Sequence, residues 1–161
     1  MMLAAALLLP LITGGNRELG NMLCPMHIPV LFCGFICGWQ WGLAAGFAAP
    51  LFRGLIFGAP SFMPIGVPMA LELAVYGLSA GLLYKLLPKK AVFTYLSLFS
   101  AMLLGRLAMG AARYFIFTAG LHGAPYDLSV FLTEAFVKAW PGMVIQAVLI
   151  PPLVLIMGKS D

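Results

Sequence analysis

The sequence predicts an all-α membrane protein, a bundle of six transmembrane helices with both termini in the cytoplasm. Its composition is the first reason: 63% of the 161 residues are hydrophobic, only 9% are charged, and the mean hydropathy is +1.04. An ordinary soluble domain carries about 25% charged residues. This composition argues against a soluble enzyme and a disordered chain. The net charge of +4 is too scattered along the chain to indicate nucleic-acid binding.

Long apolar segments are the second reason, since a helix needs about 20 apolar residues to cross a bilayer. Proline, glycine and charged residues divide the chain into six segments within a single integral membrane domain, residues 1–161. The predicted spans are residues 1–12, 27–38, 42–58, 65–87, 91–119 and 128–157. The first predicted span lacks the positively charged N-terminal region of a signal peptide. Because it is short, we expect that the protein starts upstream or that this helix leans on its neighbours.

The distribution of lysines is the third reason and sets the orientation. Three lysines flank the turn after the fourth span and one lies near the C-terminus: Lys85, Lys89, Lys90 and Lys159. On the opposite side, Arg17 is balanced by Glu18. The positive-inside rule therefore places the lysines in the cytoplasm. The longer loops, residues 13–26, 59–64 and 120–127, then lie outside, which suggests that something is captured from that side.

Seven ionisable residues fall within or at the edge of the predicted spans: His27, Arg53, Glu72, Arg106, Arg113, Glu134 and Lys138. Each charge costs about 2.5–3.5 kcal/mol in hydrocarbon, so we expect these side chains to face the bundle interior or a water-filled cavity. Depth can be counted from the outer helix ends at about 1.5 Å per residue. On that count, only Arg106, at about 20 Å, falls outside the outer half of the bilayer.

The spacing of these residues predicts a polar stripe on each of three helices. The stripes are Glu72, Tyr76 and Ser79 in the fourth span, Arg106 and Arg113 in the fifth, and Glu134 and Lys138 in the sixth. One interpretation is a pocket that opens outward. The other is a set of structural ion pairs, such as Glu72 with an arginine and Glu134 with Lys138.

The positive and negative charges within the predicted spans are unequal in number. Four cations stand against two acids: Arg53, Arg106, Arg113 and Lys138 against Glu72 and Glu134. If both acids are ionised, two cations lack partners, and an unpaired buried charge costs several kcal/mol. A ligand carboxylate or phosphate would supply the missing charge, since arginine binds such groups through two parallel hydrogen bonds. The count favours an anionic or zwitterionic small molecule.

Small residues and prolines indicate how the helices pack and where they end. Glycines recur at four-residue spacing, which allows helices to approach closely. The pairs are Gly34/Gly38, Gly42/Gly46, Gly54/Gly58 and Gly77/Gly81. Prolines indicate kinks or helix boundaries. They are Pro10, Pro29, Pro50, Pro68, Pro141, Pro151 and Pro152.

No complete catalytic motif is present. The chain has no GxxxxGK[ST] nucleotide-binding loop, no HExxH zinc motif and no GxSxG nucleophile motif. Cys24, Cys33 and Cys37 form no CxxC pair, so we expect neither a metal site nor a cofactor. An intramembrane enzyme that uses Glu72, Glu134 or His27, and a structural subunit without a ligand, stay open as alternatives.

Two stretches of the sequence resemble the S components of energy-coupling factor (ECF) vitamin importers. Residues 14–58 read GGNRELGNMLCPMHIPVLFCGFICGWQWGLAAGFAAPLFRGLIFG, and residues 68–90 read PMALELAVYGLSAGLLYKLLPKK. The resemblance extends over roughly residues 10–157 and is one of overall pattern. It implies a small six-span protein, not an enzyme, that binds one vitamin from outside.

The resemblance also implies partners and a location. In such importers the S component docks on a transmembrane coupling subunit that carries two ATP-binding cassette ATPases, in the bacterial plasma membrane. Docking in this family often uses an AxxxA motif of the first span; here Ala4, Ala5 and Ala6 are clustered and AxxxA is absent. Loops corresponding to residues 13–26 and 59–64 gate the pocket, and the last three spans supply most ligand contacts.

The sequence is similar to family members assigned to pantothenate, a carboxylate, which fits the excess of cations. Pyridoxine-type, riboflavin-type and folate-type substrates stay open. The substrate-binding residues that we expect are His27, Arg53, Glu72, Tyr76, Arg106, Arg113, Glu134 and Lys138 from the spans, and Asn21 from the loop of residues 13–26.

Overall fold

A computed structural model gives the structure of the protein. It describes residues 1–9, 11, 25–58, 65–120 and 127–157, without the side chains of residues 128 and 135. In this part of the chain the regular elements are helices, with no strand, as the all-α prediction requires. They are α1 (Met2–Leu8), α2 (His27–Cys37), α3 (Trp39–Phe57), α4 (Val67–Leu86), α5 (Ala91–Thr118), α6 (Leu128–Leu132), a π-helical segment (Thr133–Val137) and α7 (Trp140–Met157).

Three of these helices are long and apolar enough to cross a membrane: α4, α5 and α7. Their most apolar windows have mean hydropathies of 1.4, 1.5 and 1.9. With 28 residues, α5 extends over about 42 Å, which exceeds the thickness of the hydrocarbon core of a bilayer. The helix α2 is apolar but shorter, and α1 has only seven residues.

The helix α4 lies at the centre of the bundle and packs against α2, α3 and α5. Its buried residues are distributed around almost its whole circumference, from Pro68 to Gly81, as expected for a helix enclosed by others. A hydrophobic cluster around Tyr76 joins α4 to α2, α5 and α7 and includes Leu31, Met102 and Ile150. A smaller cluster packs α1 against α2, α3 and α4.

Glycines bring the backbones of α2, α3 and α4 into direct contact. A Cβ atom added to Gly34 would lie 2.5 Å from the carbonyl oxygen of Gly77, and one added to Gly42 would lie 2.6 Å from the same atom. Gly46 and Gly81 meet neighbouring backbones in the same way. We call these five residues the glycine seam. Close approach, as predicted from the spacing, is therefore confirmed for them.

Two glycines of the predicted pairs have a different role. Gly38 and Gly58 adopt φ angles of 96° and 65°, a left-handed conformation that favours glycine. Gly38 separates α2 from α3, and Gly58 follows the end of α3. These two residues end helices, and a Cβ added to either would meet open space.

The predicted sixth segment, residues 128–157, is not one continuous helix. It consists of α6, the π-helical segment and a turn at residues 138–139, followed by α7. Pro141, in the first turn of α7, accounts for the break: it has no backbone N–H to donate, and its ring would clash with the carbonyl group of Val137 in a continuous α-helix. The part of this segment that precedes Pro141 can therefore run in a different direction from α7.

Candidate functional site

A carboxylate, an imidazole and a guanidinium meet in the centre of the bundle. One oxygen of Glu72, Oε1, lies 3.2 Å from Nη1 of Arg106 and 3.5 Å from Nε2 of His27. The His27 ring stands edge-on to Tyr76, with 5.0 Å between the ring centroids. None of these four residues is more than 5% exposed. We call them the inner cluster; it joins three helices, α2, α4 and α5.

The helix faces that hold the inner cluster are those that the spacing predicted. Glu72, Tyr76 and Ser79 are all buried along one stripe of α4. On α5 the buried residues include Met102, Arg106 and Met109, again one stripe. Gly105 lets the two helices come together, because a Cβ there would lie 2.8 Å from ring atoms of Tyr76. The ring of Tyr76 thereby occupies the space that a larger residue of α5 would fill.

Pairing is what allows these charges to be buried. An isolated carboxylate or guanidinium in an apolar interior would be strongly destabilising. The attraction between Glu72 and Arg106 at 3.2 Å offsets much of the cost of removing both groups from water. Part of the second interpretation, an ion pair between Glu72 and an arginine, is therefore present in the structure.

This contact also corrects the depths counted from the helix ends. The count placed Glu72 and Arg106 about 10 Å apart along the bilayer normal, yet their charged groups touch. The count assumed that all helix ends lie at one level and ignored the reach of the side chains. With 28 residues, α5 is eight residues longer than α4, so their ends need not coincide.

A second pair lies between α5 and the π-helical segment. Nη1 of Arg113 donates to Oε2 of Glu134, so Glu134 pairs with Arg113 rather than with Lys138. The second interpretation named Lys138 as an example of a partner for Glu134; the structure has an ion pair there, but with Arg113. The π-helical hydrogen bond from the Lys138 N–H to the Thr133 carbonyl, at 2.9 Å, belongs to the segment that carries Glu134. Such segments are frequent at functional sites.

We call Arg113 and Glu134 the outer pair. Lys138 borders an open surface groove next to it. The groove has a volume of about 270 Å³ and is lined by Ser129, Val130, Thr133, Glu134 and Lys138. The Arg113 and Glu134 side chains are 23% and 36% exposed, respectively. Glu134 thus borders this open groove and Arg113 is partly exposed, whereas the inner cluster is enclosed by helices.

The partial exposure of the outer pair predicts a small energetic coupling. In a double-mutant cycle, Arg113→Met and Glu134→Gln should show an interaction of about 0.2–1 kcal/mol, because solvent screens exposed pairs. The measurement is thermal unfolding of the purified protein without added ligand. A coupling of several kcal/mol would contradict this expectation and would show that the pair is buried in solution.

Arg53 lies apart from both groups. Its Nη1 donates to the carbonyl oxygen of Leu7, at 3.2 Å, and its guanidinium lies over the Phe57 ring, 5.6 Å from the centroid. In the part of the chain that the structure describes, neither Arg53 nor Lys138 has an acidic side chain within ion-pair distance. Asn21, and most of the loops of residues 13–26, 59–64 and 120–127, lie outside the described residues.

Sequence reasoning missed Gln146. Its side chain is 1% exposed, and neither its amide nitrogen nor its amide oxygen has a hydrogen-bond partner among the described residues. The signal was present: Gln146 is the one amide in the apolar stretch WPGMVIQAVLIPPLVLIM of α7. It was missed because the predicted polar stripes each started from an ionisable residue, and α7 contains none. Among the described residues, no group of three or more His, Cys, Asp or Glu could hold a metal ion.

An apolar helical bundle with ionisable side chains buried between its helices defines a membrane protein with a polar interior, a class that includes transport proteins. Residues 1–154 match the family described as "ECF transporter, substrate-specific component". The chain therefore belongs to this family, whose members are subunits of ECF transporters rather than enzymes. No curated protein and no solved structure matches the chain. Membership implies a small-molecule substrate and association with the membrane and ATPase modules of the transporter.

Proposed function

We propose that the protein is the high-affinity vitamin-binding subunit of an ATP-driven importer in the bacterial plasma membrane. It captures a small anionic vitamin from outside and delivers it to the cytoplasm. Its partners are then a transmembrane coupling subunit and two ATP-binding cassette ATPases. Pantothenate, which carries a carboxylate, is the preferred substrate.

The observation that carries the proposal is the charge balance of the polar residues. Glu72 and Glu134 each pair with one arginine. Arg53 and Lys138 have no carboxylate partner among the described residues; Arg53 is half-buried and Lys138 is exposed. A ligand carboxylate could therefore reach Lys138, which borders a surface groove, and would supply the acid that this cation lacks.

The proposed substrate site extends from the outer pair towards the inner cluster. Its proposed residues, all expected from the sequence, are Asn21, His27, Glu72, Tyr76, Arg106, Arg113, Glu134 and Lys138. Arg53, which contacts Leu7 and Phe57 away from both groups, stays a separate proposed contact. The charged groups of the outer pair are partly exposed. They are therefore suited to meet a ligand first.

A six-span topology with both termini in the cytoplasm is part of the proposal. Lys85, Lys89 and Lys90 are exposed at the junction of α4 and α5, which supports a cytoplasmic position for that end of the bundle. The outer pair lies towards the other end of α5, because Arg113 is five residues from its last residue, Thr118. A ligand that enters there comes from outside.

Titration of the purified protein with pantothenate, pyridoxine, riboflavin and folate tests the proposal. Tryptophan fluorescence reports binding, and Trp140, at the start of α7, lies two residues from Lys138. We expect saturable binding of one vitamin at submicromolar concentration, without turnover. Lys138→Met should weaken an anionic vitamin by about 1–3 kcal/mol, since a hydrogen bond to a charged group is lost.

Each other outcome has a defined meaning. Conversion of a vitamin into a product would favour the intramembrane enzyme. No binding across the panel would favour a structural subunit without a ligand. Tight binding of an uncharged vitamin, unaffected by Lys138→Met, would refute the anionic substrate but keep the transport role.

A further inference from the structure

The amide of Gln146 is buried without an evident structural purpose. An amide taken out of water without a hydrogen bond is destabilising, and an apolar residue of the same shape would remove that cost. Neither amide atom has a partner among the described residues, although the side chain is almost completely enclosed. Such a group in a folded protein needs an explanation, and a ligand that enters the site and bonds to the amide is one.

The position of Gln146 connects it to the inner cluster. The helix α7 packs against α2 and α5. Gln146 is three residues from Met143 and four from Ile150, so the three share one helix face. Met143 and Ile150 pack in the hydrophobic cluster that contains Tyr76. Tyr76 in turn contacts the ring of His27.

His27 has unused hydrogen-bonding capacity as well. Its Nε2 faces Glu72 at 3.5 Å, whereas Nδ1 is buried without a partner among the described residues. The carboxamide of glutamine both donates and accepts hydrogen bonds, and one imidazole nitrogen can do either, depending on its protonation. Together, the amide of Gln146 and Nδ1 of His27 suit a neutral ligand group that both donates and accepts hydrogen bonds.

We propose that Gln146 and Nδ1 of His27 recognise an uncharged hydroxyl or amide group of the vitamin at the inner end of the site. This inference rests on the proposed function and extends it to the substrate's second polar group. Lys138 lies in the turn that precedes α7, and Gln146 lies in the second turn of that helix. The ligand therefore has an anionic end near Lys138 and a neutral polar group further along α7.

Gln146→Met tests the assignment, because methionine keeps the length of glutamine and loses its amide. The two readouts should move in opposite directions. Without ligand, the midpoint of thermal unfolding should rise by about 2–4 °C, since an unsatisfied buried amide is removed. The affinity for whichever of the four vitamins binds should fall about 10- to 100-fold. Gln40→Met, at an exposed position of α3, is the matched control and should change neither quantity.

The outcomes separate this inference from the proposed function. If the unchanged protein binds a vitamin and Gln146→Met binds it equally well, the inference is wrong and the proposed function stands. A fall in both the unfolding midpoint and the affinity would identify Gln146 as a structural residue and would also overturn the inference. If the unchanged protein binds none of the four vitamins, the proposed function fails and the inference fails with it.

Discussion

Glu72→Gln is expected to destabilise the protein by about 3–5 kcal/mol, the typical cost of removing one partner of a buried ion pair. The substitution preserves the shape of the side chain and removes only its negative charge. Arg106 is 5% exposed and would keep its charge in an apolar interior. The imidazole of His27 would lose the same partner. The measurement is thermal unfolding of the purified protein without ligand.

A double variant distinguishes loss of the charge pair from general disruption. Glu72→Gln combined with Arg106→Met removes both charges, so it should be more stable than Glu72→Gln alone. Glu134→Gln is the matched control, since it removes a carboxylate from a partly exposed pair and should cost about 1 kcal/mol or less. Equal losses for Glu72→Gln and Glu134→Gln would show that the inner cluster is not buried as described.

Gly77→Ala is expected to destabilise the bundle by about 1–3 kcal/mol or more, the cost of an extra group in a closely packed interior. The new methyl group would collide with the backbone of Gly42, which cannot rotate away as a side chain can. Intrinsic helix propensity acts in the opposite direction, because alanine favours a helix by about 1 kcal/mol over glycine. A net loss of stability therefore means that the packing cost exceeds this gain in helix propensity.

Ala44→Val provides the control for Gly77→Ala. Ala44 is exposed on α3, so larger side chains there meet no other helix. We expect the thermal midpoint of this variant to stay within a degree or two of the unchanged protein. If Gly77→Ala proves as stable as Ala44→Val, the backbones of α3 and α4 are not in contact.

The helices themselves could be predicted because their boundaries are set by local chemistry. The predicted segment 27–38 corresponds to His27–Cys37, which ends at a glycine with positive φ. The predicted segment 91–119 corresponds to Ala91–Thr118. The break before α7 was missed although Pro141 was noted, because an apolar run hides a local change of direction. Hydropathy alone does not distinguish one helix from two.

The ion-pair partners of the charged residues were harder to predict than the helix faces on which those residues lie. Periodicity identified the buried stripes of α4 and α5, since it depends on one helix at a time. The choice of Arg113 over Lys138 as the partner of Glu134 depends on how two elements are placed against each other. The position of Arg53 beside Leu7 depends on tertiary packing in the same way. A single sequence contains no direct signal for either.

The glycine seam also bears on which helices can adapt to a bound ligand. Where Gly34, Gly42 and Gly77 meet, backbone lies against backbone with no side chain between, so α2, α3 and α4 have no side chains there that could rearrange. Met102 of α5 and Met143 of α7, by contrast, pack through unbranched, easily rearranged side chains. We therefore expect α5 and α7 to adapt more readily to the size of a bound molecule, and substitutions there to offer the better route to changing which molecules the protein accepts.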